Sequence, residues 1–317
     1  MVTWSLLASG FWSPETVAEY ERRVDQTVTV AKMKINRGQA DSFTYFYMGG
    51  ALGFKGRLLL MEHRWFKSFQ LALRSIDALK KCQELDPDNK DVLLGLGIYD
   101  YYTARLSGVL KFLTYLFIRK GDTEEGIRKL RLAAEEAVYA SIEAKSVLLH
   151  IYMFMESQYE KALPLAIELA DQFTNNPRYS YFLGLIYLKL NRKDDYQSVL
   201  ARIREQEEQQ KGRGKSLLWR HRELYLESCE DLFLKRYDQA REKLERILTE
   251  VDKAIDPSMA AFPILRIGMI YDLEGNRDKA KDYYNQVMMM TNGAGAQFLA
   301  EKYIGEPAQP DDPFQGY

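Results

Sequence analysis

The stretch GMIYDLEGNRDKAKDYYNQV, residues 268–287, decides the fold. Gly268 and Tyr271 stand one helical turn apart, Gly275-Asn276 interrupts the helix, and Ala280, Tyr284 and Val287 resume at steps of four and three. That is the pattern of two helices folded back on each other. A small residue in mid-helix lets the paired helix approach closely, and the aromatic residue one turn later fills the gap left above it.

Working outward, the same elements recur in the same order. Tyr181-Phe182-Leu183-Gly184-Leu185-Ile186-Tyr187 repeats the first helix, while Tyr159-Glu160-Lys161-Ala162 and Tyr237-Asp238-Gln239-Ala240 repeat the start of the second. Breakers fall at helix-length intervals: Asp86-Pro87-Asp88, Gly121-Asp122, Asn175-Asn176-Pro177, Asp256-Pro257 and Gly275-Asn276. Ile127, Leu130, Ala133, Ala134 and Ala137 form an apolar stripe of helical period, whereas two-residue alternation is scarce. The chain therefore reads as a string of helical hairpins without sheet.

These motifs resemble the tetratricopeptide repeat. The resemblance implies an all-α solenoid of five to six antiparallel helix-turn-helix repeats wound as a right-handed superhelix. With Gly50, Gly95, Leu148, Gly184, Ser228 and Gly268 as equivalent positions, the steps are 45, 53, 36, 44 and 40 residues. All exceed the roughly 34 residues of the usual repeat, so the helices are lengthened and an irregular insertion is expected near 107–120. The segment Gly95 to Ala134 also resembles a eukaryotic tetratricopeptide family linked to inclusion-body clearance, from which no function is carried over.

The expected organisation is a set of N-terminal repeats with the insertion over 1–140, central repeats over 141–204, a linker at 205–215, C-terminal repeats over 216–304 and a flexible tail at 305–317. The chain has 44 basic and 45 acidic residues, so no global field draws in nucleic acid or an anionic membrane. Cys82 and Cys229 are too far apart in sequence for a CxxC site and read as packing residues. Trp4 to Trp12 is short and lacks a basic leader, so it does not read as a secretory signal. Gly108 to Ile118 contains Lys111 and is far shorter than the roughly 20 residues that span a bilayer, so a soluble protein is expected.

Chemistry finds little support in the motifs. His63, His150 and His221 have no metal-ligand spacing. Gly49, Gly50, Gly53 and Gly56 follow no strand, and Lys55 precedes Gly56 in place of a Ser or Thr, so close helix packing explains them better than a phosphate loop. Asp122 and Glu125 fit a capping box in which Asp122 accepts from first-turn amides and Glu125 reaches back. A Gly-x-Ser-x-Gly nucleophile elbow is missing. No catalysis, cofactor or metal is expected. Lys211, Arg213, Lys215, Arg220 and Arg222, interleaved with Trp219 and His221, form a basic cluster that could grip phosphate or an acidic peptide, although Glu205, Glu207, Glu208 and Glu223 dilute it to a solvated face.

Stacked hairpins usually hold extended peptides or partner helices against their first helices. Counting from the small residue, that face carries Val92, Leu96 and Tyr99, then Lys145, Leu149 and Tyr152, then Arg178, Tyr181, Leu185 and Lys189. The candidate groove residues are Tyr99, Lys145, Tyr152, Arg178, Tyr181 and Lys189, a mixed aromatic and cationic set suited to a peptide with acidic and apolar residues. The carboxylate clamp that would hold a chaperone tail is missing, since Leu149 and Phe182 stand where it needs Asn. The expected role is a non-catalytic scaffold for a protein or peptide partner. The rival reading is a lipid or small-molecule carrier whose pocket uses the apolar 108–118 segment, and self-association through Met288-Met289-Met290 is a further possibility.

Overall fold

Where paired helices come closest, the residue at the crossing is glycine. A Cβ on Gly126 would lie 2.6 Å from the Tyr101 amide nitrogen and 2.9 Å from the Gly97 carbonyl oxygen, and one on Gly97 would lie 2.9 Å from the Gly126 carbonyl oxygen. Only glycine on both helices permits that approach. In another hairpin the backbones are stitched directly: the Ser68 and Ser75 hydroxyls donate to the Gly56 and Gly49 carbonyl oxygens, each at 2.7 Å.

The computed structural model describes residues 13–105, 121–211 and 216–310. Among them it holds fourteen α-helices and no strand. In order these are α1 (Pro14–Asn36), α2 (Ser42–Met61), α3 (Trp65–Leu85), α4 (Val92–Ala104), α5 (Thr123–Glu136), α6 (Ser141–His150), α7 (Tyr159–Gln172), α8 (Pro177–Lys189), α9 (Lys193–Gln210), α10 (Ser216–Phe233), α11 (Tyr237–Glu250), α12 (Pro257–Leu273), α13 (Arg277–Met288) and α14 (Ala296–Gly305). A π-helical turn, Ile151–Met155, extends α6. Five hairpins follow: α2/α3, α4/α5, α8/α9, α10/α11 and α12/α13; α1 precedes them, α6 packs on α5, α7 on α8, and α14 comes after. The insertion expected near 107–120 lies within 106–120, outside the described residues.

First and second helices differ in kind. In α8, 11 of 13 residues are buried, and in α12, 13 of 17. In α11 only Ala240, Leu244 and Ile247 of 14 residues are buried, and in α13 only Ala280, Tyr284 and Val287 of 12. The second helices thus carry one apolar stripe, while first helices are covered on several sides by their own partner and by the neighbouring hairpins.

Capping follows the breakers. Asn176 and Asp256 accept from the amides of Arg178 and Met259, with Pro177 and Pro257 at the first helical position. Asp122 accepts from the Glu125 amide at 2.9 Å, but Glu125 does not complete the expected box. Its carboxylate turns instead to Arg128 at 2.6 Å, a charge-assisted contact stronger than a bond to one amide. At the other ends, Ser157, Asn191, Lys235 and Gly275 turn the chain in the left-handed region, φ +51°, +56°, +57° and +79°. The next amide then closes back on the helix, as from Arg192 to Tyr187 (2.9 Å), Arg236 to Asp231 (2.7 Å) and Asn276 to Tyr271 (2.7 Å).

The chain clusters into two units. One comprises Glu19–Leu60 and Arg64–Ile151; the other is built on residues 152–310, with 13–18 and Met61–His63. Of the expected linker, residues 205–210 are the last turns of α9, and 212–215 lie outside the described residues. The start of the tail expected to be flexible is anchored: the buried Ala308 donates its amide to Asp272 Oδ2 at 2.9 Å, because that buried carboxylate needs donors.

Substituting alanine separates crossing glycines from free ones. Gly126→Ala is expected to cost about 3 kcal/mol, since backbone must move. Gly50→Ala, whose Cβ meets nothing within 4 Å, is expected to stabilise by up to about 1 kcal/mol through helix propensity. Urea unfolding followed by circular dichroism checks both; equal effects at the two positions would contradict the crossing.

Candidate functional site

The candidate residues fall in both units, and each unit is taken by itself. In the Glu19–Ile151 unit, Tyr99 on α4 and Lys145 on α6 are half-buried, while Val92, Leu96 and Leu149 are core. In this unit the strongest fixed charge is elsewhere. Asp91 Oδ1 accepts from the amides of Tyr139 (2.7 Å) and Ala140 (2.6 Å), and Lys129 reaches Asp100 at 2.5 Å across the α4–α5 crossing.

In the other unit, α8 carries Arg178, Tyr181 and Lys189. Tyr181 is 0% exposed and Tyr152 3%. Tyr181 packs between Phe182 and Tyr225, ring centroids 5.6 Å from each, so both tyrosines belong to the core and not to an open groove. The physical reason is the all-round cover of first helices, which the spacing of one hairpin does not reveal. Leu185 is core for the same reason. Arg178 and Lys189 stay half-exposed near the two ends of α8, about 16 Å apart along the helix axis and on one face. Arg178 lies over the Phe182 ring at 5.0 Å and Lys189 over Tyr159 at 5.5 Å. Similar pairs recur with Lys161 over Tyr152 (6.0 Å) and with Arg241 (4.7 Å) and Lys279 (5.2 Å) over Tyr271.

The basic cluster at 211–222 does not present itself as a phosphate grip. Arg222 is buried and ion-paired with Asp256, its Nη2 donating to Asp256 Oδ1 at 3.2 Å and to Ser258 Oγ at 3.3 Å. Burial pushes the Asp256 carboxyl up, but the Arg222 charge and hydrogen bonds from Arg222, Ser258 and the Met259 amide hold it below the usual range. Arg220 pairs with Glu250 at 3.3 Å, Lys211 with Glu208, and Trp219 is core. Arg213 and Lys215 lie outside the described residues.

Sequence reading missed the carboxylates that lock hairpin turns. Buried Asp231 takes Arg236 at 2.6 Å and Lys243; buried Asp272 takes Arg277 at 2.9 Å and the Tyr284 hydroxyl at 2.7 Å. The signal was present as Asp followed five residues later by Arg across the turn, at 231/236 and 272/277. Arg266 is likewise buried, donating from Nε to the Tyr225 hydroxyl at 3.0 Å. These charges are spent on structure. Burial pushes the Cys82 thiol up to about 11, so it is no nucleophile at neutral pH.

Among the described residues no cluster of three His, Cys, Asp or Glu could hold a metal ion, and no helix is long and apolar enough to cross a membrane. A shallow depression on α5 is lined by Glu124, Arg128, Arg131 and Glu135 with Ile127 and Leu132, which is a solvated surface and not the lining of a lipid pocket.

The fold and its crossings define a class, an all-α protein of repeated helical hairpins. A tetratricopeptide repeat model matches residues 264–292, most of them in the α12/α13 hairpin, so this segment is similar to a tetratricopeptide repeat. No curated protein matches the sequence. The solved structures that match include the crystal structure of the yeast Tom70, at 14% identity and a TM-score of 0.40; the alignment covers 92% of this chain and 60% of that one. The chain thus spans less than two thirds of that protein.

His221 offers a direct test of the packing around this region. Its ring is buried, neither nitrogen has a hydrogen-bond partner among the described residues, and Glu250 Oε2 stands 3.9 Å from Nε2. Burial, with Arg222 beside it, lowers its pKa to about 4 against the opposing pull of Asp256 and Glu250. The folded state therefore favours the neutral ring, and stability drains as pH falls from about 6.5 towards 4, by up to about 3 kcal/mol. His221→Gln is expected to flatten that part of the stability profile; a variant with the wild-type slope would show the ring to be solvated.

Proposed function

We propose that the protein is a non-catalytic scaffold that binds an acidic segment of a partner protein through half-exposed cations on its first helices. The observation that carries this reading is a set of half-exposed cations on the first helices: Lys145, Arg178 and Lys189 keep partial access to solvent, the latter two seated over aromatic rings. A cation held over a ring is ordered in advance, so less entropy is lost when an acidic group meets it. With Tyr152 and Tyr181 in the core, the apolar part of the contact falls to Tyr99 and the aliphatic stems of the cations. The tetratricopeptide relationship supports the same reading, since such arrays present surfaces for partner chains.

Because Lys145 and the pair Arg178/Lys189 belong to different units, each is reversed separately. Capture from the native host with wild type, Lys145→Glu and Arg178→Glu/Lys189→Glu, read by mass spectrometry, is expected to retain one protein with wild type and lose it with at least one variant. Purified partner should then bind that variant at least tenfold more weakly, a loss of about 1.4 kcal/mol. Retention of the same proteins by all three folded chains would end this reading.

A further inference from the structure

Helices α1 and α2, joined by residues 37–41 and bridged by Lys55 on Asp25 as a further hairpin, carry a second surface, which goes beyond the first-helix site. Residues 26–61 include five basic residues, Lys32, Lys34, Arg37, Lys55 and Arg57, and one acid, Asp41, in a chain whose net charge is −1. Lys55 is spent on Asp25 at 2.7 Å and Arg57 on Glu143. Asp41 is occupied in capping α2, accepting from the Thr44 amide at 2.8 Å and the Thr44 hydroxyl at 2.5 Å. Lys34 and Arg37 are exposed and form no ion pair among the described residues.

These two cations share a face with apolar side chains. Val30, Met33, Lys34 and Arg37 stand at steps of three, one and three, one side of a helix, and Val30 and Met33 are 49% and 44% exposed. On α2, Phe43 and Tyr47 are 46% and 52% exposed with ring centroids 6.2 Å apart. Gly50, one turn beyond Tyr47 on the same face, is open, nothing lying within 4 Å of where its Cβ would be. All four apolar side chains lie within about two helical turns of residues 37–41, which join the helices. Four large apolar groups half in water, flanked by the exposed cations Lys34 and Arg37, make a surface suited to being covered.

We infer that this hairpin docks an acidic peptide segment carrying apolar residues at helical spacing. Charge selects the sign of the partner, because the five basic residues of 26–61 face a single acid, Asp41, in the same stretch. A second copy using this face would set Lys34 and Arg37 against themselves. The bare Gly50 beside Tyr47 leaves a recess for a partner side chain, whereas a lipid interface engages protruding groups.

The test selects a displayed library of random peptides on the full chain and measures the winners against Val30→Ser/Met33→Ser, Lys34→Glu/Arg37→Glu and Lys145→Glu. All substitutions are at solvent-accessible positions, and unchanged circular dichroism and melting temperature show that the fold survives. The expected winners are rich in Asp and Glu with apolar residues three and four apart, lose about tenfold or more in affinity on the first two variants, and keep it on Lys145→Glu. That last arm separates this surface from the first-helix site. An empty selection, or winners indifferent to both hairpin variants, overturns the inference. So does wild-type sedimentation with phosphatidylserine vesicles that the hairpin variants lose, which assigns the face to a membrane, or self-association that they lose, which assigns it to a second copy.

Discussion

The contact on which the structure depends is backbone against backbone where paired helices cross. Gly97 and Gly126 bring α4 and α5 together to the point at which a single methyl meets main-chain atoms. Gly268 does the same for α12, where an added Cβ would lie 2.6 Å from the Tyr284 ring and 3.2 Å from the Ala280 carbonyl oxygen. Helices so close share their cores, and a helix flanked by its own partner and by neighbouring hairpins has little free side left. α8 and α12 are therefore apolar nearly all round, while α11 and α13 bury a single stripe and turn polar residues outward.

That enclosure decides where charge can live. A carboxylate on an inner helix must find donors, and Asp231 and Asp272 find them in the arginine just past the turn, in Lys243 and in Tyr284. A buried pair of this kind is costly to desolvate, and removing one partner leaves the other uncompensated. Its gain is positional: the arginine fixes the turn, and in Asp272 the same carboxylate also fixes the chain beyond α14 through Ala308. Charges outside such buried locks keep access to solvent, as at Lys145, Arg178 and Lys189 and on α1.

Much of this was legible in the sequence. The glycine and alanine spacing gave the hairpins because close approach needs small residues at fixed intervals, and Asn176-Pro177 and Asp256-Pro257 marked true helix starts. Three turns were harder to see. Ser157, Asn191 and Lys235 adopt a left-handed backbone that Gly275 announces by its identity and they do not. Tyr152 and Tyr181 read as groove residues from register alone, but burial depends on which neighbouring helices cover a face, a property that register does not contain. The apolar surface on α1 and α2 escaped because exposure depends on which neighbours cover a helix, which composition does not contain.

If the crossings and the turn locks act hairpin by hairpin, stability is the sum of local terms between neighbours. Hydrogen exchange read by mass spectrometry on the full chain, comparing wild type with Asp272→Ala, tests this most directly. The expected result is lost protection in α12, α13, α14 and the segment around Ala308, with α4 and α5 unchanged. Uniform loss across all helices, or no change at Ala308, would contradict an array held together by neighbour-to-neighbour locks.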